Sequence, residues 1–145
     1  MVAPMKTSAR NRFTGSVSGI AVGTVNDEVE VTLPDGRTIA AMVTRNSAER
    51  LGLAIGSEVV ALTKAPWVIL ATDTEGYRFS ARNQFVGTVS RLDRGSVNSA
   101  VDVTSGDVVI TAVITNESVD EMGLEVGAAS TAMFKASNVI LAIPS

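Results

Sequence analysis

The chain is written twice. Residues 8–32 align with 80–104 at an offset of 72 and agree at 14 of 25 positions. The copies open with SARNRFTGSVS (8–18) and SARNQFVGTVS (80–90). From residue 38 onward the offset is 71, because the second copy has lost one residue in the intervening turn. Thr44 then aligns with Thr115, Ser47 with Ser118, Gly52-Leu53 with Gly123-Leu124, and Lys64-Ala65 with Lys135-Ala136. Both copies end on VILA, at 68–71 and 139–142. A solenoid needs three or more such units. Two copies point instead to a duplicated globular module, spanning 6–71 and 79–143. The joint, TDTEGYR at 72–78, is too short to let the modules wander far apart.

Each copy reads as strands. EVEVTL (28–33) alternates acidic or polar with apolar residues at period two, the pattern of a half-buried strand. PDG (34–36) marks a tight turn, and the deletion falls there, where a hairpin tolerates a change of length. SAERLG (47–52) predicts one short helix, with Ser47 as N-cap and Gly52 just past its end. SEVVALTK (57–64) and WVILA (67–71) supply the last strands. The expectation is an all-β chain of two tandem OB-like five-stranded barrels, each with one short helix after its third strand. A module this small buries little surface alone, so the modules are expected to pack together and whole chains to associate.

Composition narrows the chemistry. The chain has no Cys and no His, which excludes disulfides, thiol catalysis, direct His or Cys ligation of a metal, and the usual general base near neutral pH. A net charge of −3 and six aromatics among 145 residues disfavour a single-stranded nucleic-acid binder, which needs a basic groove with stacking platforms. The first residues, MVAPMKTSAR, lack the basic-then-apolar pattern of a signal peptide, and no apolar run approaches a membrane span. The expectations are therefore a cytoplasmic protein with no membrane partner and no catalytic residues.

Repeated apolar and glycine positions are what a duplicated barrel requires. The repeated polar positions are a shorter set: Ser8/Ser80, Arg10/Arg82, Asn11/Asn83, Asn26/Asn98, Thr44/Thr115, Ser47/Ser118 and Lys64/Lys135. Hydrogen-bond donors dominate it, and no carboxylate recurs in it. Arginine offers a planar fork of N–H donors, lysine a point charge, and serine and threonine hydroxyls rotate to donate. That is the chemistry of an oxyanion site. Each member also has a structural reading: helix caps for Ser47 and Ser118, surface charges for the lysines, turn residues for Asn26 and Asn98, interface ion pairs for the arginines. The GTVN (23–26) and GSVN (95–98) loops are ordinary strand connections that could also turn backbone N–H groups toward a ligand.

The set formed by SARN, GxVN and the Lys-Ala-Ser triplet, in the order TSARNRFTGSVS…GTVNDEVEV…KAPWVILA and again FSARNQFVGTVS…GSVNSAVDV…KASNVILA, resembles the Mop, or molbindin, domain. The likeness covers nearly the whole chain, and the tandem arrangement is similar to that of the two-module molbindins. The resemblance implies OB-like modules assembled as a homotrimer of two-module chains. It implies molybdate or tungstate as the bound ligand, no organic cofactor, and a role in molybdenum storage, buffering or homeostasis. It places the anion site on Ser8, Arg10, Lys64 and Ala65, with Thr44 and Ser47 nearby, and on Ser80, Arg82, Thr115, Ser118, Lys135, Ala136 and Ser137 in the second copy; Asn11 and Asn83 go with the SARN stretches. A second kind of site at a threefold axis would draw on Val25, Asn26, Val97 and Asn98. The sequence departs from Lys-Ala-Ser in the first copy, where Pro66 stands. Neither a winged-helix region nor a G-x-x-x-x-G-K-[ST] loop is present, so the likeness is to the binding part alone. An OB-type nucleic-acid binder or a purely structural interaction module is the competing expectation.

Overall fold

The structure is a computed structural model that describes residues 5–144. The first copy contributes β1 (Asn11–Ala21), β2 (Asn26–Thr32), β3 (Thr38–Thr44), helix α1 (Arg45–Leu51), β4 (Glu58–Thr63) and β5 (Ile69–Ala71). The second contributes β6 (Asn83–Arg94), β7 (Asn98–Ser105), β8 (Val108–Thr115), helix α2 (Asn116–Met122), β9 (Ala129–Phe134) and β10 (Ile140–Ala142). A 3-10 turn precedes each last strand, Ala65–Trp67 before β5 and Ala136–Asn138 before β10. The fold is all-β with two five-stranded curled sheets, as the sequence leads one to expect.

The strand order is β10-β4-β1-β2-β3 in one sheet and β5-β9-β6-β7-β8 in the other. The fifth strand of each sheet therefore comes from the other copy. Two compact units result, Met1–Thr63 with Lys135–Ser145, and Lys64–Phe134. The sequence repeats at 6–71 and 79–143 are not these units: each gives up its 3-10 turn and last strand and receives the other's. The strand sequences leave the choice open, because Ile-Leu-Ala is identical in β5 and β10. The registers are equivalent, Leu141 opposite Ala61 and Leu70 opposite Ala132.

Alternation fixes the core of each unit. Val29, Val31, Ile39, Ala41, Val59 and Ala61 are fully buried in the first, and Val101, Val103, Ile110, Ala112 and Ala132 in the second. The second core also stacks Phe85 on Phe134, with ring centroids 6.1 Å apart. Position 134 corresponds to Thr63 in the first copy, and Thr63 spends its hydroxyl on a backbone carbonyl instead, that of Asn138 at 3.0 Å.

Two local features explain repeated residues that the donor set left out. The register of β1 against β2 shifts between Val17 and Gly19, and that of β6 against β7 between Val89 and Arg91. Each bulge is centred on a serine, Ser18 or Ser90, whose Oγ accepts a hydrogen bond from Thr32 or Thr104 at 2.7 Å. Bulges of this kind bend a strand and increase its twist, as a curled five-stranded sheet requires. The deletion also has its place. Residues 33–37 make a longer loop in the first copy, whereas Ser105 pairs directly with Val108 across the two-residue turn Gly106-Asp107 in the second.

Candidate functional site

Helix α1 starts three residues earlier than a Ser47 cap implies, at Arg45, and its cap is Thr44, not Ser47. Thr44 has extended dihedrals and its side chain accepts from the Ser47 N–H at 3.1 Å. Thr115 does the same for Ser118 in α2. The reason is geometric: an N-cap side chain reaches the N–H three residues on, so a threonine placed three before a serine takes the capping role. Gly52 and Gly123 end the helices in the left-handed conformation, at φ of 65° and 61°, where a Cβ would be strained. The Thr44 hydroxyl donates in turn to Ser47 Oγ at 2.8 Å, and Thr115 to Ser118 Oγ at 2.9 Å. The serine hydroxyl, accepting from the threonine, keeps its own proton free to donate and one lone pair free to accept.

The GxVN loops sit beside these caps. Asn26 is the direct cross-strand partner of Thr44, and Asn98 that of Thr115. The loop carbonyls are tied down. Arg45 donates its backbone N–H to Val25 O at 2.9 Å and a guanidinium N–H to Gly23 O at 3.0 Å. Asn116 does both jobs in the second unit, toward Val97 O at 2.8 Å and Gly95 O at 2.9 Å. Gly23 and Gly95 are obligatory here, since a Cβ on either would run into the carbonyl oxygen of Asn26 or Asn98. Val25 and Val97 stand 69% and 68% exposed, and Asn26 and Asn98 are exposed beside them. Thr44 and Asn26, and Thr115 and Asn98, thus lie side by side at one end of their sheets.

Strand exchange redistributes the rest. Ser8, Arg10, Thr44 and Ser47 share a unit with Lys135, Ala136 and Ser137. Ser80, Arg82, Thr115 and Ser118 share theirs with Lys64 and Ala65. The 3-10 turn Ala136–Asn138 packs against β3, the strand that ends at Thr44, and Ala65–Trp67 packs against β8, which ends at Thr115. Ala65 and Ala136 are buried anchors of these turns, and Lys64, Pro66, Lys135 and Ser137 are exposed. The Lys64 ammonium lies 5.7 Å from the centre of the Trp67 ring, within cation–π range; Asn138 occupies the corresponding place in the other copy. Ser8, Arg10, Ser80 and Arg82 lie exposed on the segments that lead into β1 and β6.

Asn11 and Asn83 stand apart from the set. Each is 2% exposed, at the first position of β1 or β6, opposite Thr63 or Phe134. Their recurrence reflects a buried polar position at the strand start. The residues the repeat comparison missed, Arg45 and Asn116, differ between the copies, so identity could not reveal that they do the same work; their signal is position, one residue after the threonine cap. Among the described residues no cluster of three or more acidic side chains is placed to hold a metal cation.

Two OB-like units, each with a capped serine, an exposed asparagine loop and a lysine-bearing turn, define a tandem OB-like module. The chain belongs to the TOBE-domain family, whose model matches it twice, at residues 7–70 and 80–141. A solved structure of the cytoplasmic molybdate-binding protein ModG, with molybdate bound, is 51% identical, has a TM-score of 0.93, and is matched over 97% of this chain and 100% of that one. The Molybdenum transport protein ModE of Herbaspirillum seropedicae is 48% identical over 140 residues, 96% of this chain and 52% of that protein. The Molybdenum-pterin-binding protein MopA of Rhodobacter capsulatus is 45% identical over 141 residues, 97% and 53% respectively. The chain thus spans about half the length of these curated relatives.

Proposed function

We propose that the chain is a cytoplasmic, non-catalytic molybdate- and tungstate-binding protein that stores or buffers these oxyanions. The observation that carries this reading is the duplicated donor set: Ser47 and Ser118 held against their threonine caps, with a lysine-bearing turn packed on the strand that leads to each cap. Its ligand class follows from charge and from a donor-dominated set in which no carboxylate recurs. One arginine and one lysine balance a dianion, and a site without a carboxylate disfavours phosphate, whose proton left without a partner costs about 1–3 kcal/mol if buried. The match to ModG over the full length of both chains supports molybdate in particular.

The donors on one unit form an open half-site, and we place the anion where two modules meet in a homotrimer of two-module chains. Within it the two copies are not equivalent. Ser137 offers a backbone N–H and a hydroxyl; Pro66, at the matching position of its turn, offers neither. Sites that draw on Ser137 bind more tightly than those that draw on Pro66. The Val25-Asn26 and Val97-Asn98 loops, brought together three times around the axis, form the second kind of site.

The test is calorimetric titration of the purified protein with molybdate, with its native mass and metal content measured on the same sample. Heat of binding, a raised melting temperature and a trimeric mass are expected, since a ligand that binds only the folded assembly stabilises it. Absence of both heat and thermal shift overturns the reading.

A further inference from the structure

The two copies differ most at a place the oxyanion reading does not use. In the first unit a groove of about 310 Å³ opens between the end of β1, the start of β2 and helix α1. Its walls are Ile20, Val22, Ala48 and Leu53, and Asp27, Arg45 and Glu49 also line it. In the second unit the matching positions are Leu92, Arg94, Val119, Leu124, Ser99 and Asn116, and the residues there are differently engaged. Arg94 reaches across to α2 and holds both carboxylate oxygens of Asp120, at 2.8 and 3.0 Å. Val119 and Leu124 fill the space beneath and are buried. In the first unit Val22 cannot make that bridge and stands 63% exposed, the smaller Ala48 replaces Val119, and Leu53 is half-buried.

The floor differs in charge as well. Ser99 donates to Asn116 Oδ1 at 2.6 Å, a neutral and closed pair. Asp27 is 4% exposed, and its Oδ1 accepts the Gly23 N–H at 3.1 Å. A carboxylate has room for about four hydrogen bonds. Among the described residues no cation forms an ion pair with it: the Arg45 guanidinium, which lines the same groove, bonds Gly23 O and, at 3.3 Å, Glu49 Oε1. A nearly buried carboxylate that no cation contacts directly costs stability. With Arg45 and Glu49 it lines a largely apolar groove whose size is at the lower end of small-ligand pockets, roughly 300–1,000 Å³.

We propose that this groove binds a small aliphatic amine, its ammonium group on Asp27 and its alkyl stem against Ile20, Val22, Ala48 and Leu53. The residues that would touch the amine, Asp27 and the apolar walls, are not among those proposed to hold the anion, although Asp27 borders the Gly23–Asn26 loop. The probe is n-pentylammonium, titrated into the full chain and followed by ¹H–¹⁵N NMR, with 1-pentanol as the uncharged control. Shifts confined to residues 20–27 and 45–53, with pentanol at least tenfold weaker, are expected. Asp27→Asn keeps the acceptor for Gly23 N–H but removes the charge, and should weaken amine binding at least tenfold. Val22→Arg, at an exposed position, copies Arg94 and should close the groove against Glu49, abolishing binding while leaving the thermal unfolding and the molybdate response unchanged. Equal binding of pentanol, unchanged binding by the Asp27→Asn variant, or no shifts at millimolar amine would each overturn the proposal. So would shifts caused by an acetylated lysine tripeptide amide but not by the free amine, which would make the occupant a polypeptide.

Discussion

The hydroxyl of Thr63 donates to the backbone carbonyl of Asn138 at 3.0 Å, across 75 positions of sequence. It joins the last residue of β4 to the turn that delivers β10, and so fastens the exchanged strand to the first unit. Ser130 offers a longer bond, 3.4 Å, to Ala71 O at the far end of β5 in the second. Replacing Thr63 by valine keeps the shape and removes the donor. The part-buried carbonyl then loses its partner, and the expected loss is about 1–2 kcal/mol in denaturant unfolding. An unchanged midpoint and slope would mean that the bond contributes nothing.

Leu141 tests the exchange itself. It is buried in β10 opposite Ala61. Truncating a buried leucine to alanine costs about 2–5 kcal/mol. In Leu141→Ala, hydrogen exchange should accelerate in β4 and β1 while β9 and β6 keep their protection. Loss of protection in β9 instead would mean that β10 stays with its own repeat.

Thr44 caps helix α1 and belongs to the set proposed to hold the anion. Thr44→Val removes the cap of α1, with an expected cost of about 1 kcal/mol, and frees the Ser47 hydroxyl to point elsewhere. Molybdate affinity should fall with it, by calorimetry. A variant destabilised to that extent but binding as the wild type would confine Thr44 to capping.

The asymmetry of the turns gives a paired experiment. Pro66→Ser should bring the weaker class of molybdate sites toward the stronger, and Ser137→Pro should do the reverse. A two-step isotherm is expected in the wild type, collapsing toward one step in Pro66→Ser. A single class of sites in the wild type argues against non-equivalence.

The Arg94–Asp120 pair carries a pH dependence of known sign. Hydrogen bonding from Arg94, followed by its charge, holds the Asp120 carboxyl below the ordinary aspartate range. Its contribution is therefore complete above the unfolded-state pKa and is lost as pH falls through the lower folded value. Both side chains are largely exposed, so the effect is small and weakens with salt. Carboxyl NMR titration should place the Asp120 midpoint below that of an unfolded aspartate, and Arg94→Val should restore it.

Much of this is legible in the sequence. Period-two alternation in 28–33 and the glycines at 52 and 123 fix strands and helix ends, because they depend on residues close in the chain. The donor character of the repeated polar set is likewise visible, since side-chain type alone determines it. Asn11 and Asn83 show the limit: identity in both copies marks them equally with Arg10 and Arg82, yet burial separates them.

Sequence by itself determined a duplicated OB-like module with a donor-rich, His- and Cys-free chemistry, because local pattern and residue type suffice for those. Only the tertiary structure decided which last strand completes which sheet. Both strands read Ile-Leu-Ala, and the choice is made by the contacts of the turns that carry them, Ala65–Trp67 on β8 and Ala136–Asn138 on β3. It also decided that Arg94 and Asp120 pair in the second unit where Val22 stands exposed in the first, since they meet across 26 residues of chain and only folding brings them within reach.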